Sequence, residues 1–249
     1  MKNSINDNDK SFLTEKYLYA SDKERLVNLV KEMAEEALKS VVTAVESLSE
    51  ADGSKARNVI KRDDIIDELE EKIDQECLYS IAMRQPMRED LRFVYAVTKI
   101  ITDLERIGDQ GVNIAECSLK LLKSEKVKES LYFLENKPAL KEILSMCSQI
   151  EAMFNNLITA FISEDENIAH EVMTMCSKYH ETGDKAVNGL LVYASKKNLS
   201  KIIDIFTNVL WIVRYLARVG DHMMNVAERV CFIVTGVTPE FLKKKHKNT

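Results

Sequence analysis

The chain has 249 residues, of which only seven are Gly and three are Pro, and its net charge is −5. Sheet-rich folds need Gly and Pro at their many tight turns, so this composition excludes them and predicts an all-helical protein. The negative charge argues against non-specific binding to nucleic acid, which requires a basic surface. Five scattered Cys residues with no Cys-x-x-Cys pair favour reduced thiols and a cytoplasmic location over a disulfide scaffold.

The spacing of apolar residues predicts six long helices. The first begins with a capping box in which Ser21 is the N-cap and Glu24 lies three residues further on. Pro86 is expected in the first turn of the third helix, where the missing N–H of proline is not needed. The predicted helices cover residues 21–50, 55–84, 86–123, 139–162, 164–196 and 198–235. No apolar run approaches the ~18 residues of a membrane span.

A block of sequence on the third predicted helix returns on the sixth, 112 residues later. Residues 104–116 and 216–228 are identical at seven of thirteen positions, including an Arg, a Gly and an Asp. Amphipathic helices rarely keep polar residues in register by chance, so the sequence predicts an internal duplication. We expect two tandem three-helix bundles related by a pseudo-twofold axis, within residues 1–123 and 139–249, with a seam at 124–138.

Each copy of the block contains a glycine in the middle of a helix, Gly108 and Gly220, and each is followed by an Asp. A glycine at such a position costs about 1 kcal/mol relative to alanine. Two explanations are open from the sequence. Either a neighbouring helix approaches closely at this point, or the space is needed for a ligand.

Carboxylates recur at helical spacing on two neighbouring predicted helices. Asp63 and Asp67 are four residues apart on the second helix, and Glu105 and Asp109 are four residues apart on the third. Like charges at this spacing repel each other. The pattern therefore indicates either a solvated acidic face or, if the two helices face each other, four carboxylates that converge on a cation.

Five short blocks carry a resemblance that covers most of the chain. They are DDIID at 63–67, RQPMREDLR at 84–92, DLERIGD at 103–109, NIAE at 113–116 and RYLARVGDH at 214–222. In this order and spacing they resemble the PhoU family of bacterial phosphate-uptake regulators. The combination of the Gln-Pro…Asp-Leu-Arg block with the Leu-Glu-Arg-Ile-Gly-Asp block is highly specific.

The resemblance implies a non-enzymatic cytoplasmic protein of two three-helix bundles, often a homodimer, that represses the phosphate-starvation response. It implies two partners: the ATPase subunit of the phosphate ABC transporter, at the inner face of the membrane, and the sensor histidine kinase of the phosphate two-component system. Some family members bind iron or zinc through paired acidic residues on adjacent helices. By resemblance, Asp63, Asp67, Glu105 and Asp109 are expected to bind a divalent or ferric ion.

The second repeat departs from the family pattern. Ala217 stands where the family has a Glu. With a slip of one residue relative to the 112-residue repeat, Cys176 and His180 stand at the positions of Asp63 and Asp67. Together with Asp221 they form a set that can ligate zinc; alternatively, the site has decayed, with Cys176 packed as a small apolar residue and His180 exposed. We expect the first repeat to hold metal and the second to be empty or to hold one softer ion.

A di-iron carboxylate oxidase or storage protein is the alternative function, since such proteins are also helical bundles. Their signature is Glu-x-x-His on helices that face the core. The residues three positions before the four His residues are Asn167, Ser177, Val219 and Lys243, so this signature is absent. The sequence therefore favours a regulator that works through protein contacts.

Overall fold

The computed structural model of the protein describes residues 7–123, 138–195 and 199–237. Within these ranges every regular element is helical, as the composition predicted. The helices are α1 (Asp7–Ser49), α2 (Gly53–Lys61), α3 (Asp63–Tyr79), α4 (Glu89–Lys123), α5 (Pro138–Ser163), α6 (Glu166–Ser195) and α7 (Leu199–Thr235), with a π-helical turn at Ser80–Arg84. Apart from Pro138, the predicted seam lies outside the described residues, so the division into domains stays a prediction.

The predicted start of the first helix is wrong. Helix α1 begins at Asp7 and continues through Ser21 and Glu24, so these two residues do not form a capping box. No Gly or Pro precedes Ser21, and nothing in the local sequence therefore stops a helix that starts upstream. Asp22 lies on the buried side of α1, where its carboxylate accepts a hydrogen bond from Arg84 Nε at 2.9 Å.

The second predicted helix is divided into α2 and α3. Arg62 leaves helical geometry with φ −94° and ψ 3°. Its backbone N–H donates to the carbonyls of Asn58 and Val59, both at 3.1 Å, which ends α2. Helix α3 starts at Asp63, directly after this residue.

The third long helix starts at Glu89, three residues later than predicted. Gln85 and Arg88 both adopt left-handed backbone geometry, with φ of 48° and 51°. A right-handed helix cannot include such residues. Pro86 therefore belongs to the turn between α3 and α4, and its placement in a first helical turn was wrong.

The third helices of the two repeats, α4 and α7, pack against each other in opposite directions. Arg92 near the start of α4 donates to the carbonyl of Ile233 near the end of α7, at 2.8 Å. Further along α4, Asp103 Oδ1 lies 2.9 Å from His222 Nδ1. None of the helices in the described ranges is long and apolar enough to cross a membrane.

Candidate functional site

The acidic residues of the first repeat lie where α3 packs along α4. Asp63 is the first residue of α3, where a carboxylate complements the partial positive charge of the helix N-terminus. Asp67 follows about one turn later. Arg62 Nη2 donates to Glu36 of α1 at 2.8 Å, and this contact holds the start of α3 against α1.

Gly108 explains how α3 comes close to α4 at this point. A Cβ at position 108 would lie 2.6 Å from Ile66 Cδ1, well inside van der Waals contact. Ile66 is buried on the turn of α3 that lies between the two aspartates. Of the two explanations open from the sequence, close helix approach is therefore the one observed.

The pKa values of the carboxylates show that their charges act on one another. Burial raises the pKa of Asp63, and the charges of Asp67 and Asp109 raise it further. Burial raises the pKa of Glu105 to about 7; Asp109 adds to this rise, while Arg106 opposes it. The four predicted carboxylates thus share one electrostatic neighbourhood with excess negative charge.

Arg106 supplies positive charge to this neighbourhood. Its Nε lies 3.3 Å from Glu105 Oε2, and its Nη1 donates to Asp109 Oδ2 at 3.2 Å. Across the described part of the chain, no group of three or more Asp, Glu, His or Cys side chains is arranged to hold a metal ion. The oxygen donors suit a hard or borderline cation in chemistry and charge, but the side chains would have to rearrange around it, and metal binding stays a prediction.

In the second repeat, α6 and α7 also approach closely at the glycine of the repeated block, but a different type of side chain packs on that glycine. A Cβ at Gly220 would lie 2.6 Å from Cδ1 of Tyr179, which is fully buried. The Tyr179 hydroxyl donates to the backbone carbonyl of Leu216 at 2.8 Å, so the ring is held in place on α7. Tyr179 of α6 therefore packs on Gly220 as Ile66 of α3 packs on Gly108.

Only two of the candidate ligands in the second repeat are brought together. His180 Nε2 lies 3.3 Å from Asp221 Oδ1 in a partly exposed pair. Cys176 is fully buried, and burial raises the pKa of its thiol to about 12, so in the metal-free protein the thiol stays protonated at neutral pH. Ala217 offers no donor atom. Cys176 packs as a small apolar residue, but His180 is half-buried beside Asp221, and whether the second repeat binds an ion stays a prediction.

Replacing Glu105 by Gln is expected to stabilise the metal-free protein at pH 8 but not below pH 4.5. Folding raises the pKa of Glu105 from 4.5 to about 7, so the native state binds this proton more tightly than the unfolded chain. The resulting penalty on folding is absent below pH 4.5, grows as the pH rises to 7, and is complete above it. Allowing for solvent screening, we expect Glu105→Gln to raise the free energy of unfolding by about 1–2 kcal/mol at pH 8. Urea unfolding with chelator present measures this change.

Glu116→Gln is the matched control for this prediction, because Glu116 lies on the same helix with an exposed side chain. Its effect on the free energy of unfolding should be small, because exposed charged side chains contribute little to stability. If Glu105→Gln stabilised the protein equally at pH 4.5 and pH 8, the pKa of Glu105 would not be raised.

Sequence reasoning missed the polar contacts between α4 and α7. Asp103 Oδ1 accepts a hydrogen bond from Asn225 Nδ2 at 2.9 Å and also contacts His222, which lies 119 residues away in the chain. The repeat gave no signal of this contact, because Tyr215 occupies the position of Asp103 in the second copy. The contact between Arg106 and Asp109 could have been predicted, since Arg and Asp three residues apart meet on a helix surface.

The sequence profile of the PhoU domain matches the chain twice, at residues 30–118 and 143–230. The phosphate-specific transport system accessory protein PhoU homolog of Clostridium acetobutylicum is 32% identical over 88% of this chain and 95% of its own. The accessory protein PhoU homolog 1 of Thermotoga maritima is 32% identical over 93% of both chains. The crystal structure of PhoU from Pseudomonas aeruginosa, 29% identical, matches 88% of this chain and 100% of its own with a TM-score of 0.78. The protein belongs to the PhoU family, and its all-α fold carries two PhoU domains in tandem.

Proposed function

We propose that this protein regulates phosphate uptake and represses the phosphate-starvation response when phosphate is plentiful. The observation that supports the proposal is the match of two tandem PhoU domains to relatives named as accessory proteins of phosphate-specific transport systems, over 88% and 93% of this chain. It acts through protein contacts and not as an enzyme. Its partners are the ATPase subunit of the phosphate ABC transporter and the sensor histidine kinase of the phosphate two-component system, which it reaches from the cytoplasm as a homodimer.

Deleting the gene in the source organism tests this function. A reporter under a phosphate-starvation promoter is expected to be active in the deletion strain at high phosphate, and restoring the chain should switch it off. A second family member in the same genome would mask the effect, so the strain should lack that gene as well. A reporter that stays off in the double deletion at high phosphate would contradict the proposal.

We further propose that the four carboxylates of the first repeat bind a divalent or ferric ion, with iron and zinc as the leading candidates. The support is the excess negative charge that raises the pKa values of Asp63 and Glu105, because a cation would relieve it. Asp63 and Asp67 would hold the ion from α3, and Glu105 and Asp109 would hold it from α4. The ion would supply the positive charge that Arg106 supplies without it.

Metal analysis of protein purified without chelators tests this site. The double variant Glu105→Gln, Asp109→Asn is expected to lose the bound metal, because two of four anionic ligands become neutral. Anomalous scattering at the iron and zinc edges would locate the ion, which we expect beside Asp109 and not as an equal cluster beside Asp221. Unchanged metal content in the double variant, or equal clusters in both repeats, would show that the assignment is wrong.

A further inference from the structure

One face of α7 carries an exposed group of aromatic and cationic side chains. Trp211, the only tryptophan of the chain, is 48% exposed, and its ring stacks on that of Tyr215 with 5.8 Å between the ring centroids. Arg214 and Arg218 are exposed on the same face, because residues three and four apart are neighbours on a helix surface. We call Trp211, Arg214, Tyr215 and Arg218 the α7 patch.

Tyr215 anchors the α7 patch to the body of the protein. It is partly buried and packs against the hydrophobic core. Burial raises the pKa of Tyr215; Cys117 and Glu116 of α4 add to this rise, and Arg218 opposes it. The side chain therefore lies between α4 and Arg218, and it gives the ring of Trp211 a fixed support.

The first repeat has different side chains at the equivalent part of its third helix. With the 112-residue shift of the repeated block, the four residues of the α7 patch correspond to Lys99, Thr102, Asp103 and Arg106. Only the last arginine is shared, and neither aromatic side chain has a counterpart. The packing of α4 on α7 therefore does not require the stacked rings, and exposed apolar side chains without a packing role mark an interaction surface.

Arg218 has lost the carboxylates that its counterpart contacts. In the first repeat, Arg106 contacts the two acidic residues of its own block at 3.3 and 3.2 Å. In the second repeat, Ala217 stands at the position of one of them, and the other, Asp221, contacts His180. The positive charge of Arg218 is therefore left for a carboxylate from outside.

Arg214 adds a second cation without an internal partner. Within the described residues, no carboxylate forms an ion pair with Arg214 or Arg218. Glu116, the carboxylate of α4 that acts on Tyr215, lies 4.0 Å from Lys120. The α7 patch is thus locally cationic in a chain whose net charge is −5, and a complementary surface must supply carboxylates.

A protein surface fits the α7 patch better than a small ligand or a membrane does. Trp, Tyr and Arg are the residues that contribute most to binding in protein interfaces. A small ligand is normally enclosed in a cleft, whereas four residues of one helix provide only one wall. An anionic membrane would repel a chain of net charge −5 at long range, whereas a protein partner has to match the patch alone.

We infer that the α7 patch docks on an acidic protein surface, with Trp211 in an apolar pocket and both arginines paired with carboxylates. The inference rests on the proposed function, which supplies the partner: the ATPase subunit of the phosphate transporter. Docking removes Trp211 from solvent and makes binding sensitive to salt, because ion pairs at the edge of an interface are screened.

The single tryptophan allows a direct test. The full chain is labelled with fluorinated tryptophan, so its fluorine NMR spectrum contains one resonance, from Trp211. When unlabelled ATPase subunit is added, this resonance should shift and should lose most of its sensitivity to exchanging water for deuterated water, because the indole is no longer exposed. Trp211→Ala should weaken binding at least about 30-fold, as for a residue that dominates an interface, and Arg218→Glu about 10-fold or more.

Matched variants outside the α7 patch serve as controls. Tyr95→Ala removes a ring that is 49% exposed near the start of α4, and Arg88→Glu reverses an exposed charge in the turn before α4; both should bind like the wild type. The double variant Arg214→Gln, Arg218→Gln should bind with a weaker dependence on salt. If Trp211→Ala loses its thermal unfolding transition, this double variant and the fluorine resonance carry the test.

The outcomes separate this inference from the proposed function. A wild-type chain that does not bind the ATPase overturns that partner in the proposed function, and the inference with it. Binding that leaves the Trp211 resonance unchanged, or that survives the substitutions in the α7 patch, keeps the proposed function and overturns the inference. A shift of the resonance on vesicles of phosphatidylglycerol, without binding to the ATPase, would assign the α7 patch to a membrane surface and also overturn it.

Discussion

Replacing Gly111 by Ala is expected to destabilise the protein by about 3 kcal/mol. At this point α1 crosses α4, and an added Cβ would overlap Ser40 Oγ and lie 2.8 Å from the carbonyl carbon of Ser40. A side chain can rotate away from such a clash, but the backbone of a packed helix cannot, so the two helices must move apart. Urea unfolding should show the loss as a lower midpoint with an unchanged slope.

Gly189→Ala is the matched control for this prediction. Gly189 also lies inside a long helix, α6, but an added Cβ there meets nothing within 4 Å. This variant should be more stable than the wild type by about 0.5–1 kcal/mol, because alanine favours the helix and glycine does not. If the two variants lost the same stability, the close crossing of α1 and α4 would be wrong.

Replacing Arg92 by Ala is expected to destabilise the protein by about 2 kcal/mol and to loosen the contact between the repeats. Arg92 on α4 donates to the carbonyls of Ile233 and Val234, at 2.8 and 3.3 Å. Both carbonyls belong to the last turn of α7, where a helix leaves its carbonyls without partners along its own backbone. Hydrogen bonds from a charged donor contribute about 1.5–3 kcal/mol, and a cation also suits the negative end of the helix dipole.

Two variants control the Arg92 experiment. Arg92→Lys keeps the charge but loses the planar pair of donors, so it should recover only part of the lost stability. Arg88→Ala removes an exposed arginine from the turn that precedes α4 and should change the free energy of unfolding by less than about 0.5 kcal/mol. Hydrogen exchange in the last turn of α7 should be faster in Arg92→Ala; an unchanged rate would contradict this capping contact.

Several features of the fold could be predicted because they depend on neighbouring residues. The scarcity of Gly and Pro excluded a sheet, and the apolar spacing placed the long helices. The errors occurred where a local signal fits more than one structure. Ser21 and Glu24 are compatible with a helix interior as well as a start, and nothing in the sequence around Arg62 marks the break between α2 and α3.

The candidate site was predicted in part for the same reason. Helical spacing showed which carboxylates share a face, and the glycine of the repeated block marked the place where α3 and α4 meet. The pKa of Glu105, however, depends on burial and on charges from α3 as well as α4, and no spacing rule on one helix contains that information. The burial of Cys176 likewise became evident only in the packed structure.

The sequence by itself determined the helical class, the duplication and the family of this protein, because composition, periodicity and repeated motifs are properties of consecutive residues. Only the tertiary structure decided that α4 and α7 pack in opposite directions, with Asp103 against His222 and Asn225. Such contacts join residues more than a hundred positions apart, and their geometry depends on how whole helices fit together and not on local preference.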